Sequence, residues 1–376
     1  MARSLDVWSV FIIISLAHSL FALNLLLIKK EHKTDSGKWL IFILVSQFWF
    51  QLEFLSIRWP YDVGINIFYG TRFGAWFLVG PLFYGYISSV TTDSFSAKKL
   101  YYFSPFILFS ILLPLIFGDL LSYRQVHYGM LTPFDNRPDQ INFVQYIYSG
   151  VFITQFLYFG YFLYRSKNEI DQYAHGLKNE FSNTVNQLKW LKMMWYGMSL
   201  ILVLVTLFIV ILFFFFTSIY RRHMDYLYVL PISILVYIVS YKLSGVSWVQ
   251  PETKLKYEKS GFQTSEIESL KAKIYKNLKA NKLYLNQELR LKDLAEELEM
   301  RPHHLSELLN QHMSITFFDL INRYRVEEAK NQMLSNPHYT LLQIAFESGF
   351  NNKTSFVNAF KRFEGMTPSD YMKKMT

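Results

Sequence analysis

Seven apolar runs, near 7–28, 39–58, 66–90, 100–118, 143–165, 193–219 and 224–244, fill the first 244 of this chain's 376 residues. A hydrocarbon core about 30 Å thick is crossed by roughly 20 apolar residues of helix, so runs of this length joined by short polar stretches predict a seven-helix transmembrane bundle. The first run reads as a span and not as a signal peptide, because it is too long, no small-residue cleavage site follows it, and Lys29 and Lys30 stand at its far end. Beyond residue 244 the composition is that of a water-exposed domain. A linker is expected at 245–270, where Pro251 and Gly261 interrupt any regular pattern, and a second domain at 271–376. The expected fold class is all-α throughout.

Charge orients the bundle. The chain carries a net charge of +9, but residues 245–376 hold 19 Lys and Arg against 16 Asp and Glu, so most of the excess lies in the apolar half. There the connections after spans one, three and five hold Lys29, Lys30, Lys33, Lys38, Lys98, Lys99 and five more between 165 and 192. Those after spans two, four and six hold Arg58, Arg124, Arg137, Arg221 and Arg222. The positive-inside bias therefore places the amino terminus outside and the carboxyl terminus in the cytoplasm. Aromatic residues such as Trp8, Trp39, Tyr164 and Tyr226 crowd the run ends as an interfacial belt. In span three, Gly70 and Gly74 permit close helix approach and Pro81 predicts a kink, serving packing or a signalling hinge. Glu53 and Arg72 lie at matching depths in spans two and three; they are expected to pair, either as a structural ion pair or as part of a ligand site sensing a signal. No cysteine is present, which removes disulfides and thiolate metal sites, and no His/Asp/Glu set has metal-ligand spacing. The charged connection at 165–192 is nearly free of helix breakers. It predicts helical extensions of spans five and six, placed to touch the tail, with a solvated loop as the alternative.

The tail carries a tandem pattern. In 340–363, Leu341, Ile344, Ala345 and Ser348 share one face of a short helix capped by Thr340, Gly349 supplies a left-handed turn, and Asn351 is placed to cap a second helix. Phe356, Phe360 and Phe363 of that second helix pack back, leaving Asn352, Lys353, Thr354, Ser355, Asn358 and Lys361 outward. These donor, acceptor and cationic side chains suit base edges and phosphates in a major groove, and Arg362 is expected on a phosphate. A weaker copy runs over 291–311, where Leu291, Leu294, Ala295 and Leu298 repeat the buried face. Pro302 opens its second helix, with His303, Ser306, Glu307 and Asn310 outward. Between the copies, Thr316–Leu334 predicts a helix with Thr316 and Asp319 at capping-box spacing, long enough to set two reading helices about one duplex turn, roughly 34 Å, apart.

These residues closely resemble the C-terminal DNA-binding domain of the AraC/XylS family of bacterial transcription regulators. Over about 289–371 the signature is met by Ile344, Ala345, Gly349, Phe350, Phe356, Phe360, Lys361, Gly365, Pro368 and Tyr371. The first copy departs from it: Glu299 and Arg301 stand where the family has a turn glycine and a capping serine. The resemblance implies base contacts from His303, Ser306 and Glu307 in the first copy, and from Lys353, Thr354 and Asn358 in the second. The whole layout also resembles membrane-bound transcription regulators of one group of bacteria.

The expected function is that of a membrane-tethered, sequence-specific transcription regulator in a bacterial inner membrane, multi-pass, with the bundle as sensor or anchor. Its expected partners are double-stranded DNA, membrane lipid, a second copy of the chain and a small-molecule or protein signal. Neither catalysis nor a cofactor is expected. A transporter or membrane enzyme with a regulatory tail is the alternative, and it finds no catalytic His/Glu constellation or Gly-rich phosphate loop to support it.

Overall fold

The computed structural model of the protein describes residues 7–58, 74–92, 97–112, 143–182, 186–215, 226–245 and 264–375. Among these residues the named elements are all helical, and the one β pairing is an isolated antiparallel bridge between Phe181 and Arg290. The chain divides into two compact units, Met1–Ile170 with Leu191–Val249, and Asp171–Trp190 with Gln250–Thr376. The first unit runs to Val249, and twenty residues of the connection at 165–192 belong with the tail.

The first unit is built from α1 (Val7–Ile28), α2 (Asp35–Arg58), α3 (Ala75–Thr91), most of α4 (Phe143–Glu180) and α5 (Asn186–Phe215), and α6 (Tyr226–Gly245). α1 packs against α2 and α6, and α2 against α3. Close approach is bought with small residues: a Cβ on Gly85 would lie 2.8 Å from the Trp39 ring, and one on Gly80 3.2 Å from Phe162. Apolar residues stand on the outside of this unit as well as in its core. On α1, Ser9, Ser15 and Ser19 are buried, while Phe11, Ile14, Leu20, Phe21, Leu27 and Ile28 are exposed. Inside, Gln51 Nε2 donates to Ser15 Oγ at 2.8 Å, and Ser240 Oγ donates to the His18 carbonyl at 3.0 Å.

Among the described residues two stretches, Ser9–Ile28 and Leu188–Leu207, are long and apolar enough to cross a membrane; Leu100–Ile111 and Pro231–Tyr241 are apolar but shorter. α2, α3, α4 and α6 cover much of the second, third, fifth and seventh expected spans. The start of the fourth is wound in 3-10 and π turns through Leu112. Arg72 and Gly70 lie outside the described residues, as does the side chain of Glu53, whose backbone belongs to α2.

The second unit contains α7 (Thr264–Asn281), α8 (Leu291–Glu297), α9 (Pro302–Glu307), α10 (Phe317–Ser335), α11 (Leu341–Glu347), α12 (Lys353–Glu364) and α13 (Pro368–Met375). α10 is the predicted spacer helix, capped as expected by Thr316, whose Oγ1 accepts the Asp319 N–H at 3.1 Å. Its nineteen residues serve two cores. Phe317, Leu320 and Ile321 pack with Leu294, Ala295, Leu305 and Leu309, whereas Val326, Ala329 and Met333 pack with Ile344, Ala345, Phe356 and Phe360. Sharing one rigid helix between two cores fixes the spacing of the helix pairs on either side.

Candidate nucleic-acid interface

The second helix pair is built as its sequence predicts. Thr340 Oγ1 accepts the Gln343 N–H, and Gln343 Oε1 accepts the Thr340 N–H at 2.9 Å, closing a capping box on α11. Gly349 turns the chain at φ +87°, and a Cβ there would stand 2.4 Å from the Tyr284 carbonyl oxygen, so only glycine fits. One detail differs from expectation. The cap of α12 is Asn352 and not Asn351, because the backbone is still extended at 352 and brings Asn352 Oδ1 to the Ser355 N–H at 2.8 Å. Asn351 Oδ1 instead accepts from Asn352 Nδ2. Asn352 therefore holds the helix start, and both its amide groups are engaged locally. Phe356, Ala359 and Phe360 face the core; Lys353, Thr354, Asn358, Lys361 and Arg362 are exposed, and Ser355 is half-buried. Arg362 makes a bidentate ion pair with Asp319 of α10, at 2.7 and 2.9 Å, so part of its charge is already answered.

The first helix pair differs. Its turn residue Glu299 takes φ +56° with a side chain in place, and Arg301 starts α9 with no side-chain cap, leaving Pro302 to preset the first turn. α9 runs directly into a π turn at Leu308–His312. His303 is half-buried, its ring 4.1 Å from that of His304, whose pKa is lowered chiefly by burial and then by the neighbouring His303 and Arg301 charges. The sequence pattern places Ser306 and Glu307 outward, and here the structure corrects it: they are 1% and 7% exposed. Both line a cavity of about 540 Å³ with Asn310 and Gln311, and on its other wall stand His175 and Asn179 from the end of α4. Asn310 is half-buried and its Nδ2 donates to Ser306 Oγ at 3.3 Å.

What brings the 171–182 segment here is a buried arginine. Arg325 of α10 is fully buried, and its guanidinium donates to the carbonyls of Tyr284 and Asn286 at 2.7 Å, to the Ser182 carbonyl at 3.2 Å and to Ser182 Oγ at 3.2 Å. Ser182 Oγ in turn donates to the Leu289 carbonyl at 2.7 Å, and the Arg290 guanidinium lies 5.5 Å from the Phe181 ring centroid. Burial pulls the Arg325 pKa down to about 9, which still leaves it charged at neutral pH. Neither Arg325 nor Ser182 was singled out from the sequence. The available signal was a cation at i+4 from Ile321 on the otherwise apolar face of α10. Beside it, burial and then the Glu328 carboxylate push the Tyr284 phenol up to about 12.

Two helix pairs joined by a shared helix, each with a short second helix set against its own core, define a tandem helix-turn-helix domain. The comparisons agree: the helix-turn-helix domain family matches residues 294–374. Over 125 residues the chain is 29% identical to an uncharacterised HTH-type transcriptional regulator, YtdP, of Bacillus subtilis, a match covering 32% of this chain and 16% of that protein. It is 27% identical over 104 residues to the regulatory protein PocR of Salmonella typhimurium, covering 28% and 34% of the two chains. It is also 32% identical over 82 residues to the transcriptional regulatory protein HptR of Staphylococcus aureus, covering 22% and 32%. The chain thus spans well under half the length of these relatives. No solved structure matches it.

Proposed function

We propose that this chain is a membrane-tethered, sequence-specific DNA-binding transcription regulator whose apolar unit is a multi-pass sensor or anchor and whose tail lies in the cytoplasm. The observation that carries the DNA reading is α12: a well-capped helix that buries three core residues and presents Lys353, Thr354, Asn358 and Lys361 outward. Lys353, Thr354 and Asn358 are the proposed base readers, with Ser355, Lys361 and Arg362 positioned for phosphates. In the first helix pair His303, Ser306, Glu307 and Asn310 take the matching role. The names of the relatives, each that of a regulator, favour the same function.

The membrane reading rests on the apolar exterior of the first unit. Exposed Phe, Leu and Ile around a helix bundle held together by Gln51–Ser15 and similar hydrogen bonds suit lipid and not water. Seven spans with the tail inside follow from the run lengths and the loop charges. Glu53 and Arg72 are the proposed sensor pair, tested by the response of Glu53→Gln and Arg72→Gln chains that still insert.

The deciding experiment is a selection from a randomised duplex pool with the full chain in detergent micelles. Enrichment of a defined sequence is expected, with binding that weakens steeply as salt rises. Lys353→Ala and Asn358→Ala are each expected to lose about 1–3 kcal/mol at particular base pairs, while Lys361→Ala weakens all sequences alike. A pool that emerges unenriched would remove the proposal.

A further inference from the structure

We propose that the DNA interface extends beyond the tail to the first turn of α5, where Lys189 takes a backbone phosphate of the duplex that α12 reads. This rests on the DNA-binding function proposed above. The support is a recess of about 680 Å³ at the reading face of α12, lined by Thr354, Ser355 and Asn358 together with Lys189 from the connection between α4 and α5. Two other charged groups line it, Asp319 and Arg362, and these are bound to each other at 2.7 Å, so the net charge of the recess is that of Lys189. Lys189 is exposed and makes no ion pair among the described residues.

A major groove is about 12 Å wide and is bordered on each side by a phosphate strand, so a helix whose side chains reach base edges has phosphates beside it. An ammonium that shares one recess with the readers stands where such a strand passes, and it binds a phosphate as a point charge with three donors. Lys189 also lies in the first turn of a helix of 30 residues, and the partial positive charge of that end adds to its own. The cation is tied to the same frame as the readers. Ser182, a few residues earlier, is held through its carbonyl and hydroxyl by Arg325 of α10 at 3.2 Å, and α10 packs against Phe356 and Phe360 of α12. Trp190, next in the chain, is buried, which anchors the turn on its other side. Because the rest of α5 belongs to the apolar unit, phosphate contact and the position of that helix form one linked equilibrium.

Salt titration of duplex binding tests this contact, using the full chain in detergent micelles and the duplex it selects. Lys189→Gln is expected to weaken binding about threefold to tenfold at about 0.1 M salt, alike for the selected site and its single-base variants. It should also lower the slope of log affinity against log salt by about 0.9, the share of one phosphate. Lys189→Glu should weaken binding further, and Lys189→Arg should keep the native slope. A neutral methylphosphonate walked along the duplex then locates the partner. At one position it should cost the native chain what Lys189→Gln costs, and cost the Lys189→Gln chain nothing more. An unchanged slope in Lys189→Gln, or no such position, would overturn the contact; so would tighter binding, which would mean that the connection obstructs the duplex. If the native chain enriches no sequence, the DNA function fails and this contact with it. If the native chain enriches a site and Lys189→Gln leaves the slope alone, the contact alone fails.

Discussion

The two helix pairs of the tail share one spacer helix and one architecture, yet the second is built to the rules of local structure and the first breaks three of them. Where the second turns on Gly349, the first turns on Glu299 at positive φ; where the second caps α12 with Asn352, the first begins α9 at Arg301 with no cap; where the second exposes Lys353, Thr354 and Asn358, the first half-buries His303 and Asn310 and buries Ser306 and Glu307. Local strain and missing caps lower the stability of a helix pair, and a less stable pair is easier to hold in a closed arrangement or to rearrange.

The sharpest way to break the comparison is Gly349→Ala, which forces a Cβ against the Tyr284 carbonyl and the Leu285 Cα at 2.4 and 2.8 Å. It is expected to destabilise the second pair by about 3 kcal/mol or more, read as lost amide protection over 340–364 by hydrogen exchange. Removing a cap, by Thr340→Ala or Asn352→Ala, is expected to cost about 1 kcal/mol in the same measurement. Repairing the first pair should move it the other way: Glu299→Gly relieves the left-handed residue and is expected to raise protection over 291–311 by about 0.5–1 kcal/mol. The smallest effect is that of pH. His304 has a lowered pKa in the fold, so the unfolded chain takes up its proton first. Its contribution is complete above the ordinary value of 6.5 and is lost as pH falls below it. Exchange at pH 5.5 against pH 7 should therefore loosen 291–311 and leave 340–364, which has no histidine, unchanged.

Much of the tail was legible in the chain itself because its determinants are local. The 3.6-residue apolar stripes of α8, α10 and α11, the caps Thr316 and Thr340 and the turn glycine each act within a few residues. The cap at Asn352 was missed by one position, since two adjacent asparagines offer the same side chain and only the backbone angle chooses between them. The burial of Ser306 and Glu307 was not legible, because periodicity reports which residues share a face but not what covers that face. Part of the cavity wall that they share comes from more than a hundred residues upstream. In the first unit the apolar run lengths gave helices, and the same runs matched a span by length and composition in two stretches among the described residues.

The Ser182–Arg325 bond joins positions 143 residues apart. At a synthesis rate of about 5–20 residues per second, Ser182 leaves the ribosome roughly seven to thirty seconds before its receptor exists. The segment must wait undocked while the helices on either side find their places, and the tail, once made, closes on a ligand already present. A chain released before Arg325 is made therefore lacks this link between the segment and the tail.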